Sequence, residues 1–144
     1  MIDTTELCQG LGISRSRLDQ WISRGFLKPE RPPVPGGPRM WDLADTMRAA
    51  ITKNLFNQGI KLSAWGSAEK ETVLASRLAN LHGLHNSQAV LALFADFAGG
   101  PIRKRILPAS EVPSLLCQET TSFLLLINLD KLEAELIAKF PALA

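Results

Sequence analysis

The 144-residue sequence predicts an α+β protein, in which short helices come first and a small domain with a short β-sheet follows. Two observations predict this class. Up to residue 59, apolar residues recur every three or four positions between glycines, which is typical of amphipathic helices. Beyond residue 88, continuous apolar runs at 89–95 and 122–128 have the length and composition of buried strands. We therefore expect two domains, residues 1–66 and residues 67–144.

The composition is that of a soluble globular protein, with 46% hydrophobic and 21% charged residues. No run of about 18 apolar residues is present, so no membrane span is expected. The first residues also lack the basic and apolar segments of a secretory signal. The two cysteines, Cys8 and Cys117, lie far apart and form no CxxC pattern, which argues against a disulfide framework or a zinc site and favours a reducing cytoplasm.

The basic residues are concentrated in the first half of the chain. Through Leu62, nine Lys or Arg residues oppose six Asp or Glu residues, a net charge of +3. From Ser63 onward seven oppose eight, a net charge of −1. Such a surplus is either the electrostatic footprint of a phosphate-binding surface or a chance distribution of surface charge.

Capping residues predict where the first helix lies. Asp3 is a good N-cap, and Glu6 follows three residues later, which is a variant of the capping box. Leu7 and Leu11 then form a short apolar stripe. Gly10 and Gly12 are expected to end the helix and to permit the turn into the next one.

The second helix carries the strongest functional signal. Ser14 is a suitable N-cap, and Gly25 lies where the chain would leave the helix in a left-handed conformation. One face is expected to be buried, through Leu18, Trp21 and Ile22. The opposite face is polar, with arginines along its edges. A polar helix held by a tight turn against a preceding helix is how a helix-turn-helix reads DNA.

A proline-rich loop follows, at residues 28–39. Five prolines and two glycines exclude a helix, and Gly36-Gly37 is suited to a hairpin tip. The loop carries basic residues, so it is either the wing of a winged helix-turn-helix or an ordinary surface linker. A third helix is then predicted from Asp42 to Gly59, with Asp45 near its positive end.

The second half predicts a helix, two strands, a helical turn, a third strand and a last helix. The first helix is expected at 67–81, and the strands at 89–95, 102–107 and 122–128. A helical turn is expected at 110–116. Asp130 is expected to cap the last helix.

No pattern in the sequence predicts catalysis, a metal site or a cofactor. His82 and His85 lie around a glycine with no acidic or thiol ligand beside them, and the glycines at 99–100 lack the lysine of a phosphate loop. The basic run at 103–105 either guards a strand edge against aggregation or adds a phosphate contact. We therefore expect the protein not to be an enzyme.

Residues 3–65 resemble the winged helix-turn-helix of the MerR family of transcription regulators. The matching residues are Glu6-Leu7, Gly12-Ile13-Ser14, Leu18, Trp21, Gly25-Phe26-Leu27-Lys28-Pro29, Gly36-Gly37, Arg39-Met40-Trp41, Asp45 and Gly59-Ile60-Lys61-Leu62. The resemblance implies a bacterial or phage DNA-binding protein, whose second helix enters the major groove while the wing grips the backbone. MerR regulators usually continue into a long helix that pairs as a coiled coil, whereas this sequence predicts a small α+β domain there.

These features together predict a sequence-specific DNA-binding regulator that acts as a homodimer on double-stranded DNA. The second domain is expected to pair two copies, or to bind an effector or a protein partner. The candidate DNA-contacting residues are Ser14, Arg15, Ser16, Arg17, Gln20, Lys28, Arg31 and Arg39. Asp19, on the same face, either accepts from a cytosine amino group or is held by Arg15 one turn earlier.

Two other functions are compatible with the sequence. The module is similar to that of phage excisionases and of the small terminase subunit, so an architectural DNA-binding protein is one alternative. A protein-interaction module that has lost DNA binding, marked by Asp19, is the other.

Overall fold

The computed structural model describes residues 1–30, 32–60, 89–96, 103–117 and 121–144. The chain divides into two compact units, Met1–Val73 together with Glu133–Ala144, and Leu74–Leu132. Helices and two small antiparallel sheets make up the described elements, so the predicted α+β class is confirmed. The predicted domain boundary after residue 66 and the predicted helix at 67–81 lie outside the described residues, and the boundary stays a prediction.

Helix α1 spans Thr4–Leu11, and its predicted capping box is present. The Asp3 carboxylate accepts from the backbone N–H of Glu6 at 2.9 Å, and the Glu6 carboxylate accepts from the N–H of Asp3 at 2.9 Å. Gly12 adopts a left-handed conformation (φ 65°) and ends the helix. Gly10, which we expected at the end of the helix, lies inside it.

The first unit contains two short paired strands, which were not predicted. Strand β1 (Ile2–Asp3) pairs antiparallel with β2 (Met40–Trp41), with Ile2 opposite Trp41. The buried Trp41 indole also donates to Thr4 Oγ1 at 3.1 Å. Both contacts join the end of the proline-rich loop to the start of α1.

Helix α2 spans Arg15–Ser23 and has the predicted cap and buried face. The Ser14 hydroxyl accepts from the N–H of Arg17 at 3.2 Å. Leu18 and Trp21 are buried, and Ile22 is half-buried. After the helix, Gly25 is left-handed (φ 73°), as predicted.

Helix α3 spans Leu43–Asn57 and begins where the sequence predicts. The Asp42 carboxylate accepts from the N–H of Asp45 at 2.9 Å, and left-handed Gly59 follows the last turn. The three helices and the adjoining loops share one apolar core. Its largest members are Leu7, Leu11, Leu18, Trp21, Leu27, Trp41, Met47, Ile51 and Leu55.

An ion cluster anchors the start of the proline-rich loop to α3. It is formed by the buried Asp45 and Arg48 and by Glu30, whose side chain is 56% exposed. Arg48 Nη1 lies 2.6 Å from Asp45 Oδ1, and Arg48 Nη2 lies 2.7 Å from Glu30 Oε1. The Asp45 carboxylate also accepts from the backbone N–H of Glu30, at 3.2 Å to each oxygen. The side chains of Arg48 and Asp45 are only 4% and 1% exposed. Asp45 therefore fixes a loop as well as lying near a helix terminus, which is all that the sequence indicated.

The second unit contains a three-stranded antiparallel sheet of order β4-β3-β5. Its strands are β3 (Ala89–Asp96), β4 (Arg103–Pro108) and β5 (Thr121–Asn128), close to the three predicted strands. A 3-10 turn at Ala109–Glu111 leads into the short helix α4, Val112–Leu116. Buried Ala92 and Leu107 of the sheet pack with Leu115 of α4. Among the described strands, β4 and β5 form the two edges.

The last helix, α5 (Leu129–Lys139), begins two residues earlier than expected. The prediction that Asp130 caps this helix is wrong, because Asn128 Oδ1 accepts from the N–H of Lys131 at 3.0 Å. Asn128 ends strand β5, so the strand passes directly into the helix through this cap. Asp130 lies in the first turn instead.

Residues 133–144 belong to the first unit and pack against its N-terminal segment. The Phe140 ring is buried and covers Gly10, where an added Cβ would lie 2.0 Å from Phe140 Cζ. The N-terminal ammonium of Met1 donates to the carbonyl of Ala142 at 2.8 Å. The end of the chain is therefore part of the unit that contains α1, α2 and α3.

Candidate nucleic-acid interface

The exposed face of α2 is the candidate reading surface. Burial of Leu18 and Trp21 fixes the rotation of the helix, so the side chains of Ser16, Asp19 and Gln20 lie in solvent. The turn before the helix is held because Ile13 N–H donates to the Cys8 carbonyl at 3.0 Å. The polar face predicted from the sequence is therefore presented outward by a well-defined turn and cap.

Ser14 and Ser16 lie together at the start of α2. The Ser14 hydroxyl is the cap of the helix, and its oxygen lies 3.3 Å from the Ser16 hydroxyl. Both side chains are exposed. Ser14 thus has a structural contact in addition to the DNA contact predicted for it.

Asp19 is held by Arg15, which is one of the two contacts predicted for it. The contact with a cytosine amino group stays a prediction. Arg15 Nε lies 3.2 Å from Asp19 Oδ2 and 3.3 Å from Oδ1. The side chains are 62% and 55% exposed, so solvent screens the pair and its contribution to stability is small. The pair nevertheless places a carboxylate beside an arginine that we predicted to contact phosphate.

Arg17, on the other edge of α2, stacks on an aromatic ring. Its guanidinium carbon lies 4.4 Å from the centroid of the Phe56 ring. Phe56, near the end of α3, in turn contacts the Trp21 ring, with centroids 5.7 Å apart and planes inclined by 57°. Phe56 was not among the residues that the sequence predicted to be functional. The available signal was its position, because Phe56 is a large aromatic residue just outside the apolar stripe of Ile51 and Leu55.

A groove of about 410 Å³ lies between α2, the start of α1 and the proline-rich loop. Arg15 and Asp19 line it from α2, Thr5 lines it from α1, and Pro38 and Arg39 line it from the loop. The structure therefore brings together Arg15 and Arg39, which are distant in sequence.

Two other predicted contact residues, Gln20 and Lys28, do not line this groove. Gln20 lines a separate depression of about 240 Å³ with Arg24 and Phe56. Lys28 is exposed at the start of the proline-rich loop. Arg31 lies outside the described residues.

The proline-rich loop projects as a turn rather than as a hairpin. Gly37 N–H donates to the Val34 carbonyl at 2.9 Å, with Pro35 and left-handed Gly36 (φ 74°) at the central positions. This is the pattern of a type II turn, for which proline and glycine are the preferred residues. No strand flanks the turn within residues 32–39, although Gly36-Gly37 was expected at a hairpin tip. From Pro32 to Pro38 every residue is exposed.

The described part of the chain has neither a metal-site cluster nor a membrane-spanning helix. That part of the chain contains no group of three or more His, Cys, Asp or Glu residues able to hold a metal ion. It also contains no helix with the length and apolar character that crossing a membrane requires. His82 and His85 lie outside it. Cys8 and Cys117 are free cysteines, and burial raises the pKa of the Cys8 thiol.

Comparison with known families agrees with this geometry. Residues 3–65 match the family described as MerR HTH family regulatory protein. The matched segment includes α1, α2, the proline-rich loop and α3. No curated protein matches the chain.

Proposed function

We propose that the protein is a sequence-specific, DNA-binding transcription regulator of bacterial or phage type, because residues 3–65 match the MerR HTH family of regulatory proteins. It acts in the cytoplasm without catalysing a reaction. Helix α2 enters the major groove, and the proline-rich loop contacts the backbone as a wing. The observation that carries this proposal is the groove that Arg15 of α2 and Arg39 of the loop both line, beside an exposed polar helix face.

The proposed contacts divide into two groups. Phosphates are bound by Arg15, Lys28, Arg31 and Arg39, with the Ser14 hydroxyl at the helix start. Base edges are read by Ser16, Arg17 and Gln20. Arginine pairs well with guanine, and glutamine pairs well with adenine, because each can make two hydrogen bonds to that base.

A homodimer is proposed because one small module buries too little DNA surface for useful affinity. The second half of the chain supplies the pairing surface, through its last helix or through an open edge of its sheet. Strands β4 and β5 are the edges available among the described strands, since β3 lies between them. The same half is the place for an effector or a protein partner.

Selection from random duplexes at two salt concentrations tests the proposed function. We expect an enriched inverted repeat and a steep decline of affinity with salt, because each neutralised phosphate releases counterions. The spacing of the half-sites would then report the geometry of the dimer. Recovery of no preferred sequence would contradict sequence-specific regulation.

Replacing Gln20 by alanine should relax the base preference at one position. The loss of two hydrogen bonds to a base is expected to cost about 1–3 kcal/mol of binding free energy. Selection with the variant, beside wild type, measures this. Gln9→Ala is a matched control, because Gln9 is an exposed glutamine of α1 and is not a proposed contact. An unchanged preference in Gln20→Ala would show that α2 is docked differently.

Replacing Arg39 by alanine should weaken binding to all sequences alike. One fewer phosphate contact is expected to reduce the slope of log affinity against log salt by about 1. Titration of the selected duplex and of an unrelated duplex over a range of salt measures this slope. Because the Arg39 carbonyl also accepts from Thr4 Oγ1 at 3.1 Å, the unfolding midpoint is measured in parallel. A loss confined to the selected duplex would contradict a backbone contact.

An architectural role, as in excisionases or packaging subunits, is a second candidate function. The exposed proline-rich turn at residues 32–38 favours it, since such a segment suits entry into a minor groove. This protein would bend DNA and bind clustered sites cooperatively. Gel mobility of circularly permuted fragments separates the two candidates, because only a bent complex migrates according to the position of the site.

A protein-interaction module is the remaining alternative. The Asp19 carboxylate offsets part of the charge of Arg15 on the exposed face of α2, and this favours loss of DNA binding. Partner binding that does not depend on salt, without retention on DNA, would support it.

A further inference from the structure

Phe56 is an exposed aromatic residue that core packing does not explain. Its side chain is 42% exposed, although its neighbour Leu55 is fully buried. The ring lies between Trp21 and Arg17, with its centroid 5.7 Å from that of Trp21 and 4.4 Å from the guanidinium carbon. The latter distance is well within the range of about 6 Å over which a cation and an aromatic face attract each other.

We propose that Phe56 is a positioning residue, which orders the Arg17 side chain for base recognition by α2. The inference rests on the proposed function. A guanidinium that lies over a ring is attracted to it without giving up a hydrogen bond, so its N–H donors stay available for a base. Within the described part of the chain, no acceptor takes a hydrogen bond from the Arg17 guanidinium. The ring therefore orients this cation without occupying the groups that would read DNA.

The contrast with Arg15 supports this assignment. Arg15 is ordered by a carboxylate, which accepts from its Nε and offsets part of its charge. Arg17 is ordered by an uncharged ring and keeps its full positive charge. Of the two arginines near the start of α2, Arg17 is thus the one prepared for a bidentate contact with guanine.

The ring is itself held in place, as a positioning residue requires. Gly59 N–H donates to the Phe56 carbonyl at 3.0 Å, and Ile60 N–H donates to the Leu55 carbonyl at 3.0 Å. These hydrogen bonds fix the backbone at the end of α3. Trp21, only 2% exposed, supports the ring from the core. Ordering a long arginine before binding lowers the entropy lost when it meets DNA.

A double-mutant cycle tests the proposal. The probe is the duplex that wild type enriches from the random pool, and Kd is measured for wild type, F56L, R17A and the double variant. We expect F56L to weaken binding about 2- to 10-fold, because it keeps an apolar side chain but removes the ring. In the R17A background, F56L should have no further effect, since Phe56 acts only through Arg17. F56L and R17A should broaden the base preference at the same position.

Phe56→Tyr is the matched control, because it keeps the ring and should keep wild-type affinity. Proton NMR of the DNA-free protein gives a second readout, in which the Phe56 ring should shift the Arg17 Cδ protons upfield in wild type and in F56Y. Absence of that shift, or an equal loss of affinity from F56L in both backgrounds, would overturn the inference and leave the proposed function standing. Wild type that binds no duplex would overturn the proposed function together with it.

Discussion

Arg48→Met should lower the free energy of unfolding by about 3–5 kcal/mol, because it leaves a buried carboxylate without its cation. Arg48 and Asp45 are 4% and 1% exposed, and their closest atoms are 2.6 Å apart. Urea unfolding of the full chain measures the loss. Lys53→Met is a matched control, since Lys53 lies on the same helix and is only half-buried. A loss no larger than that of the control would contradict the importance of the ion cluster.

The pH dependence of this loss has a defined sign. Burial raises the pKa of Asp45 above its ordinary value of 3.8, against the lowering effects of the Glu30 N–H and of Arg48. A carboxyl group with a raised pKa in the folded state contributes stability below its ordinary pKa, and that contribution is lost as the pH rises through the raised pKa.

Arg48→Met removes one lowering effect, so the pKa of Asp45 should rise further. The deficit of the variant should therefore shrink as the pH falls from about 7 towards about 4, where carboxyl groups take up protons. Adding Asp45→Asn should recover part of the loss at neutral pH, because the amide oxygen still accepts from the Glu30 N–H while the buried charge is gone. A deficit independent of pH would contradict this account.

Phe140→Ala should destabilise the first unit by about 3 kcal/mol or more, as expected for truncation of a buried phenylalanine. Phe140 is only 7% exposed and lies against Gly10 of α1. Thermal or urea unfolding measures the effect. A negligible loss would mean that the end of the chain does not contribute to the stability of the helix-turn-helix.

The effect of Gly10→Ala on the free energy of unfolding should change sign in the Phe140→Ala background. In wild type the added Cβ would lie 2.0 Å from Phe140 Cζ, so overpacking should cost about 1–3 kcal/mol. Without the ring, alanine should stabilise α1 by up to about 1 kcal/mol through its higher helix propensity. Gly12→Ala is the control: it meets nothing within 4 Å but has a φ of +65°, so its cost should be the same in both backgrounds. Equal effects of Gly10→Ala in both backgrounds would contradict the contact.

The helix starts of the first unit were predictable because capping is local. The capping pairs Asp3–Glu6 and Asp42–Asp45 are each separated by three residues, and the structure shows both. The start of α5 was misplaced because Asn128 and Asp130 are both good caps. Strand β5 extends to Asn128, and this decides which of the two begins the helix.

The sequence predicted the exposed polar face of α2, but it did not predict which side chains of that face contact each other. The periodicity of α2 indicates which residues are exposed, and the structure agrees for Ser16, Arg17 and Gln20. Sequence left two partners open for Asp19, and the 3.2 Å contact with Arg15 identifies the one within the protein. The role of each exposed residue on DNA stays a prediction.

The sequence by itself determined the α+β class, the three helices of the first unit, the three strands of the second and the polar face of α2. Those features depend on periodicity and on caps within one turn of the chain. Only the tertiary structure decided that Arg48 joins Asp45 to Glu30, that Phe56 stacks on Arg17, and that Phe140 covers Gly10. Arg48 and Asp45 both lie in α3, but the contacts of Arg48 with Glu30, of Phe56 with Arg17 and of Phe140 with Gly10 each join different elements. Their partners are therefore set by how the elements pack and not by local sequence.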